Sequence, residues 1–442
     1  MSAAASAAPP PEPGGHPAAP EPGAQAAAPP RPGGQAAAPE LPGLAGRRRV
    51  SLVLEPTPLH PAPRLSRELG VPILLKRDDL TGLGLGGNKL RGLEYILADL
   101  REQGCDCLVT GAGPQSNWTL LAALACLRCQ VEPHVVCYGE GAPGEGNMRL
   151  HRWLGTHLRF TGDPDRASVD AAMGAVVAEL HAQGRRPYLV PRGGATPLGA
   201  LGYLRASVEL AAQLATLGER PAGLWLATGS GGTQAGLVAG AALAGASYRV
   251  RGVAVSRPAD ETRDRVRSLA AGAAALAGGD RARVRIAAQD VLDEWIGPGY
   301  GVPSPEGQQA ARLVAMTEGV FLDDTFGAKA MAALIAECRA GRVRGTQVFL
   351  VGGGAPTLFT SSATPPPTPG AMLAALAAPG GSGVSALPAG PGSGGAPDSH
   401  AGSDGSGAPA PLSGPGGGAQ APPADPGGGA SAPPADQGGG AS

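Results

Sequence analysis

The sequence has no run of eighteen apolar residues, no basic stripe and no excess of either charge. The first absence argues against a membrane-spanning helix. Thirty-five Lys and Arg balance 36 Asp and Glu, for a formal net charge of −1. That balance leaves no electrostatic footprint for nucleic acid. The N-terminus lacks a basic segment leading into an apolar one, so no secretory signal is expected and the chain is placed in the cytoplasm. Cysteine is sparse too, with six in the chain. Cys105/Cys107 and Cys126/Cys129 have a spacing that zinc ligands use. However, Cys126 lies inside the apolar run Leu120–Leu127, and Cys137 lies in a strand-like segment. Buried thiols behave as small hydrophobes, so no metal is expected at them.

Glycine (72) and proline (46) are plentiful, and they crowd into the two ends. Residues 1–46 are almost entirely Ala, Pro and Gly, and residues 362–442 close on a near repeat of Ala-Pro-Pro-Ala-Asp followed by a glycine run. Such segments bury too little apolar surface to offset the entropy of ordering, so both are expected to be disordered tails. Within the second, Ala371–Ala378 has the pattern of a helical turn or two. What remains, roughly residues 47–361, is the size of a two-domain α/β enzyme.

In that core, short apolar strands alternate with helical patterns. Strands are predicted at Val71–Lys76, Cys107–Thr110, Pro133–Tyr138, His157–Phe160, Pro187–Pro191, Gly223–Ala227, Tyr248–Val255, Val284–Ala287 and Gln347–Val351. The clearest helix starts at Leu90, with Leu93, Ile96, Leu97 and Leu100 at helical spacing. Alternation of this kind implies parallel sheets flanked by helices, with ligands beyond the carboxyl ends of the strands. Four glycine or polar turns fall there: the loop to Lys89, Gln115–Asn117, Thr228–Thr233 and Gly352–Gly354.

Two of these turns suggest chemistry. Gly82-Leu-Gly-Leu-Gly-Gly-Asn-Lys89 delivers one lysine at a helix start. Desolvated there, a lysine loses its proton and becomes a nucleophile, although the same residues alone also read as a loop before a solvated lysine. Thr228-Gly229-Ser230-Gly231-Gly232-Thr233 follows a strand and opens a helix, which makes a ready anion site; alone it also reads as a tight turn. Ser116 and Asn117 suit helix capping as well as ligand binding. Tyr300, one of six tyrosines, stands in a Gly-Pro turn. A phosphate loop beside a nucleophilic lysine is the pair that pyridoxal phosphate needs.

The core resembles the D-cysteine desulfhydrase and 1-aminocyclopropane-1-carboxylate deaminase family, within the tryptophan synthase β-like (fold type II) pyridoxal-phosphate enzymes. The motifs that carry this are Lys-Arg-Asp-Asp at 76–79, Gly-Gly-Asn-Lys at 86–89, Gln-Ser-Asn at 115–117 and Leu-Gly-Ala-Leu-Gly-Tyr at 198–203. Thr-Gln-Ala-Gly at 233–236, Gly-Pro-Gly-Tyr-Gly at 297–301 and Gly-Gly-Ala-Pro at 353–356 follow in the family's order. The resemblance implies a two-domain α/β fold with parallel-rich sheets: residues 47–91 and 200–361 as the large domain, 92–199 as the small one. It implies that Lys89 holds pyridoxal 5'-phosphate and moves protons, and that Asn117 bonds the ring hydroxyl. It further implies that residues 228–233 bind the phosphate, Ser116 meets the substrate, and Tyr300 lines the reaction face. The implied activity is α,β-elimination on a small amino acid, most like D-cysteine desulfhydrase, by a homodimer. The alternatives are deaminase-like or cysteate-lyase-like activity, a re-specialised relative, or a non-catalytic cofactor-binding protein. Departures stand beside the matches. The family's usual His after Gln-Ser-Asn is Trp118, its tyrosine before Gly-Lys is Phe326, and the two places that supply a partner for the pyridine nitrogen are Gly352 and Gly327.

Overall fold

The computed structural model describes residues 42–141 and 144–360. The expected tails beyond residue 361 and before residue 42, with the helical turn at Ala371–Ala378, lie outside the described residues.

The strands are β1 (Leu59–Pro61), β2 (Ile73–Arg77), β3 (Cys107–Ala112), β4 (Glu132–Cys137) and β5 (His157–Phe160). After them come β6 (Pro187–Leu189), β7 (Gly223–Thr228), β8 (Arg249–Ala254), β9 (Val291–Leu292) and β10 (Gln347–Val351). One sheet has the order β1-β2-β10-β7-β8-β9 and the other β5-β4-β3-β6. All pairings are parallel except β1 with β2. The strands of the smaller sheet all fall within residues 107–189.

The helices are α1 (Pro42–Ala45), α2 (Pro63–Leu69), α3 (Lys89–Glu102), α4 (Asn117–Arg128), α5 (Gly146–Trp153) and α6 (Ser168–Ala182). They continue with α7 (Pro197–Leu217), α8 (Gly232–Ala244), α9 (Ala259–Leu276), α10 (Pro305–Glu318) and α11 (Gly327–Arg339). Local chemistry sets their ends. Ser116, Thr196 and Ser304 accept hydrogen bonds from first-turn N–H groups, and Pro197 and Pro305 follow two of these caps. The residue boundaries expected at 91/92 and 199/200 fall inside α3 and α7.

Buried side chains of α7, α8 and α9 cover the large sheet, and those of α3 and α4 cover one face of the small sheet. α6 covers the other face of the small sheet through Val169, Met173, Val176 and Leu180. The helices come very close. A Cβ on Gly202 of α7 would sit 2.1 Å from the Arg91 carbonyl oxygen, so only glycine allows α7 to meet α3 there.

Two readings from the sequence change. Val284–Ala287 is not a strand; the chain turns through short 3-10 segments, and the strand comes at Val291–Leu292. Its apolar residues Val284 and Ile286 are buried against the α9 layer instead, which satisfies the same alternation. Pro42–Ala45, inside the stretch expected as tail, forms a helical turn with Leu44 buried.

Candidate active site

Strand β2 ends at Arg77, and the chain then turns through Asp78–Leu80 toward α3. Gly86 and Gly87 shape the last part of that loop. Gly86 has φ +70°, and a Cβ there would lie 1.9 Å from the Asp79 carbonyl oxygen. Thr81 pins the loop: its hydroxyl accepts from Gly87 N at 2.8 Å and donates to Gly87 O at 3.1 Å. Lys89 then opens α3.

The first turn of α3 is held from behind by charge. The Arg91 guanidinium donates to both oxygens of buried Asp78, at 2.7 and 2.9 Å, and to Glu209 at 3.0 Å. Thr57 donates to Asp78 at 2.7 Å, and the Tyr203 hydroxyl donates to it as well. Burial pushes the Asp78 carboxyl up, but Arg91 more than reverses this and holds it below its ordinary value. The arrangement is a bidentate, fully paired ion cluster in the interior.

Lys89, Ser116, Asn117, Trp118, Gly229, Ser230, Tyr300, Asp323, Phe326 and Gly352 line one cavity of about 100 Å³. Burial drops the Lys89 amine to about 8, with the Asp323 charge pulling the other way. Asp323 itself is pushed up to about 6 by burial, against hydrogen bonds from the N–H groups of Gly327, Phe326 and Thr325. Desolvation therefore lets both groups change charge near neutral pH.

The expected loops meet because their strands are neighbours. β2, β10 and β7 lie side by side in the large sheet. Asn88 N donates to Gly352 O at 2.9 Å, and the Asn88 amide donates to Thr233 Oγ1 at 3.2 Å. The small sheet contributes the turn after β3. There Ser116 caps α4, and Asn117 Oδ1 accepts from the Asn147 amide at 3.0 Å. A Cβ on Gly354 would sit 2.3 Å from Asn117 Nδ2, so the two sheets' loops touch.

Residues 228–233 divide. Gly229 and Ser230 reach the cavity, and the Ser230 hydroxyl donates to Gly193 O at 2.9 Å. Gly231, at φ +93°, caps α8, so Gly232 and Thr233 form its first turn. N–H groups there have no intrahelical partner, and the helix dipole adds positive potential. Arg265 and Arg257 donate to the carbonyls of Ser230 and Gly229 at 2.8 and 3.1 Å, fixing the loop. The Thr228 hydroxyl turns elsewhere, committing its proton to Gln234 Oε1 at 2.9 Å.

The departures also have places. Trp118 packs on Gly194, and its indole N–H donates to Thr110 at 2.9 Å, so it walls the cavity without an unsatisfied donor. Phe326 lies 5.5 Å from the Tyr300 ring, putting hydrocarbon where the family pattern has a hydroxyl. Burial pushes the Tyr300 hydroxyl up to about 12. Sequence reasoning missed Asp323 and Asn88. Asp323 reads as part of an acidic pair before a helix, and Asn88 is hidden by the lysine beside it.

Residues 50–353 match the family model described as pyridoxal-phosphate dependent enzyme. The chain belongs to the pyridoxal-phosphate-dependent enzymes. Among relatives of this pyridoxal-phosphate enzyme, the D-cysteine desulfhydrase of Salmonella paratyphi C (strain RKS4594) is 38% identical over 322 residues, covering 70% of this chain and 95% of its own. A solved ACC deaminase homologue aligns with TM-score 0.67 at 34% identity, over 72% of this chain and 95% of that one. The processed form of threonine deaminase isoform 2 from Solanum lycopersicum shares the fold, with TM-score 0.51 at 19% identity, over 76% of this chain and 90% of that one. The expected α/β architecture of the fold type II enzymes is thus confirmed, as is dependence on pyridoxal phosphate. Among the described residues no helix is long and apolar enough to cross a membrane.

Proposed function

We propose that the chain is a lyase that converts D-cysteine and water to pyruvate, sulfide and ammonia. The observation that carries this is a desolvated lysine amine near pKa 8 sharing one cavity with Gly229 and Ser230 of the glycine-rich loop that leads into α8. The donor set suits the cofactor: an amine for its aldehyde, N–H groups of residues 229–233 and the Ser230 hydroxyl for its phosphate, and the Asn117 amide for its ring hydroxyl. Bound there, pyridoxal phosphate would supply an electron sink for the charge left at Cα of an amino acid.

Lys89 is the base in this reading, its amine freed once the substrate's own amine would take its place at the cofactor's aldehyde. A neutral amine with a pKa close to working pH accepts the Cα proton efficiently. The thiolate then leaves Cβ with its electron pair, and the enamine left behind takes up water to give pyruvate and ammonia. Ser116, buried at the start of α4, would meet the substrate carboxylate, and Tyr300 would cover the opposite face. Trp118 and Phe326 exclude water from the cavity walls.

Lys89→Ala tests the reading directly. The expected result is loss of the visible absorbance of lysine-bound cofactor and loss of keto-acid release from D-cysteine. Retention of that absorbance in the variant would defeat the assignment of Lys89. A second reading follows from Trp118 and Phe326: a re-specialised enzyme acting on another small amino acid. Rapid sulfide release from D-cysteine, with nothing faster in a panel of L-cysteine, D-serine, cysteate and aminocyclopropane carboxylate, would rule it out. By resemblance we also propose a cytoplasmic homodimer.

A further inference from the structure

A second cluster of chemically capable side chains sits on the small sheet, away from the lysine cavity. Alternation along β4 puts Glu132 and His134 on one face, and the parallel register pairs His134 with His157 of edge strand β5. His134 Nε2 and His157 Nε2 lie 2.9 and 3.2 Å from the same oxygen, Glu132 Oε1. His134 Nε2 is buried and makes no hydrogen bond of ordinary geometry. The three donor atoms all fall within 4.8 Å of one another.

We propose that Glu132, His134 and His157 form a binding site for Zn²⁺ or a similar divalent transition cation. A tetrahedral zinc held at about 2.0–2.1 Å by each donor sets its donors roughly 3.3 Å apart, close to the spacings found here. The two imidazoles are stacked, with centroids 4.7 Å apart, so one ring must tilt to aim its lone pair at a shared ion. His157 is 59% exposed and free to do so. The other Glu132 oxygen is held by Arg185 at 2.8 Å, which orients the carboxylate and leaves Oε1 for the metal. Around the cluster, Glu132, Asp106 and Glu179 face Arg185 and Arg159, one more carboxylate than guanidinium. A groove of about 520 Å³ leaves the fourth position to water. Imidazole and carboxylate donors with an open position suit zinc.

The site lies at the amino-terminal end of β4, whereas the lysine cavity lies beyond the carboxyl ends of the strands, so it clamps an edge strand and takes no part in the lyase reaction. Zinc chloride would be titrated calorimetrically into the full-length, cofactor-loaded protein in a non-chelating buffer at pH 7.5. One equivalent should bind saturably and raise the melting temperature. His157→Ala and Glu132→Gln should each weaken binding by at least tenfold, with metal-free activity and circular dichroism unchanged. X-ray absorption should show two imidazole nitrogens in the metal's shell. No saturable binding, or full affinity in both folded variants, would overturn the proposal.

Discussion

Lys89 joins placement with protonation. Its amine is lowered to about 8, so the reactive, uncharged form is half populated there and not near 10.5. The rate at which cofactor-free protein takes up pyridoxal phosphate should rise with pH and level off above about 8, read by visible absorbance. Asp323 raises the lysine's value, so Asp323→Asn should move the midpoint of that profile below 8. A profile still centred near 10.5 would show that the lysine is solvated. The linkage to stability has the same sign as that of a paired carboxylate, stability rising with pH, but it acts in a higher pH window and as the relief of a penalty. The unfolded chain keeps this proton until about 10.5, so the charged form penalises folding below pH 8, and the penalty fades as pH climbs between the two values.

The first turn of α3 is an element fixed from behind. Arg91 and Asp78 are both essentially inaccessible, and the pair is completed by Glu209, Thr57 and Tyr203. Removing one partner of such a cluster costs about 3–5 kcal/mol, because the other charge is left buried alone. Arg91→Met should lose stability of that order in urea unfolding while Arg91→Lys loses less, since charge is kept but the two-pronged geometry is not. The Asp78 and Glu209 values are held below ordinary, so their contribution is present above the unfolded carboxyl range and is lost as pH falls through the lower folded values. None of this cluster was legible from sequence. Thr57, Asp78, Arg91, Tyr203 and Glu209 are far apart along the chain, and only tertiary packing makes them neighbours. The helix that carries Lys89 was legible, because Leu90, Leu93, Ile96, Leu97 and Leu100 form one buried face. The glycine loops were legible for a related reason, since positive φ and close approach leave few other residues possible. Glu132 and His157 escaped notice because their meeting depends on strand register, which no local pattern encodes. Val284–Ala287 misled because a buried, alternating coil and a short strand share one hydropathy signature.

At the scale of the whole chain, the folded region starts earlier than its composition suggests. Leu44 is buried in the large-sheet core, and Gly43 lies against the backbone of Ala277. Burying one such side chain contributes about 1.5–3 kcal/mol. A protein starting at residue 47 should therefore melt lower than one starting at residue 42, while both keep the same kcat with D-cysteine; equal melting temperatures would show that Leu44 adds nothing. The two sheets also divide the cavity between them. Lys89, residues 228–233 and Gly352 rise from three adjacent strands of one sheet, where backbone pairing sets the strand spacing at about 4.8 Å. Ser116, Asn117 and Trp118 rise from the other sheet. The cavity thus works like a vice whose two jaws are forged separately: a change of side chain on the small-sheet jaw leaves untouched the strand pairing that sets the other.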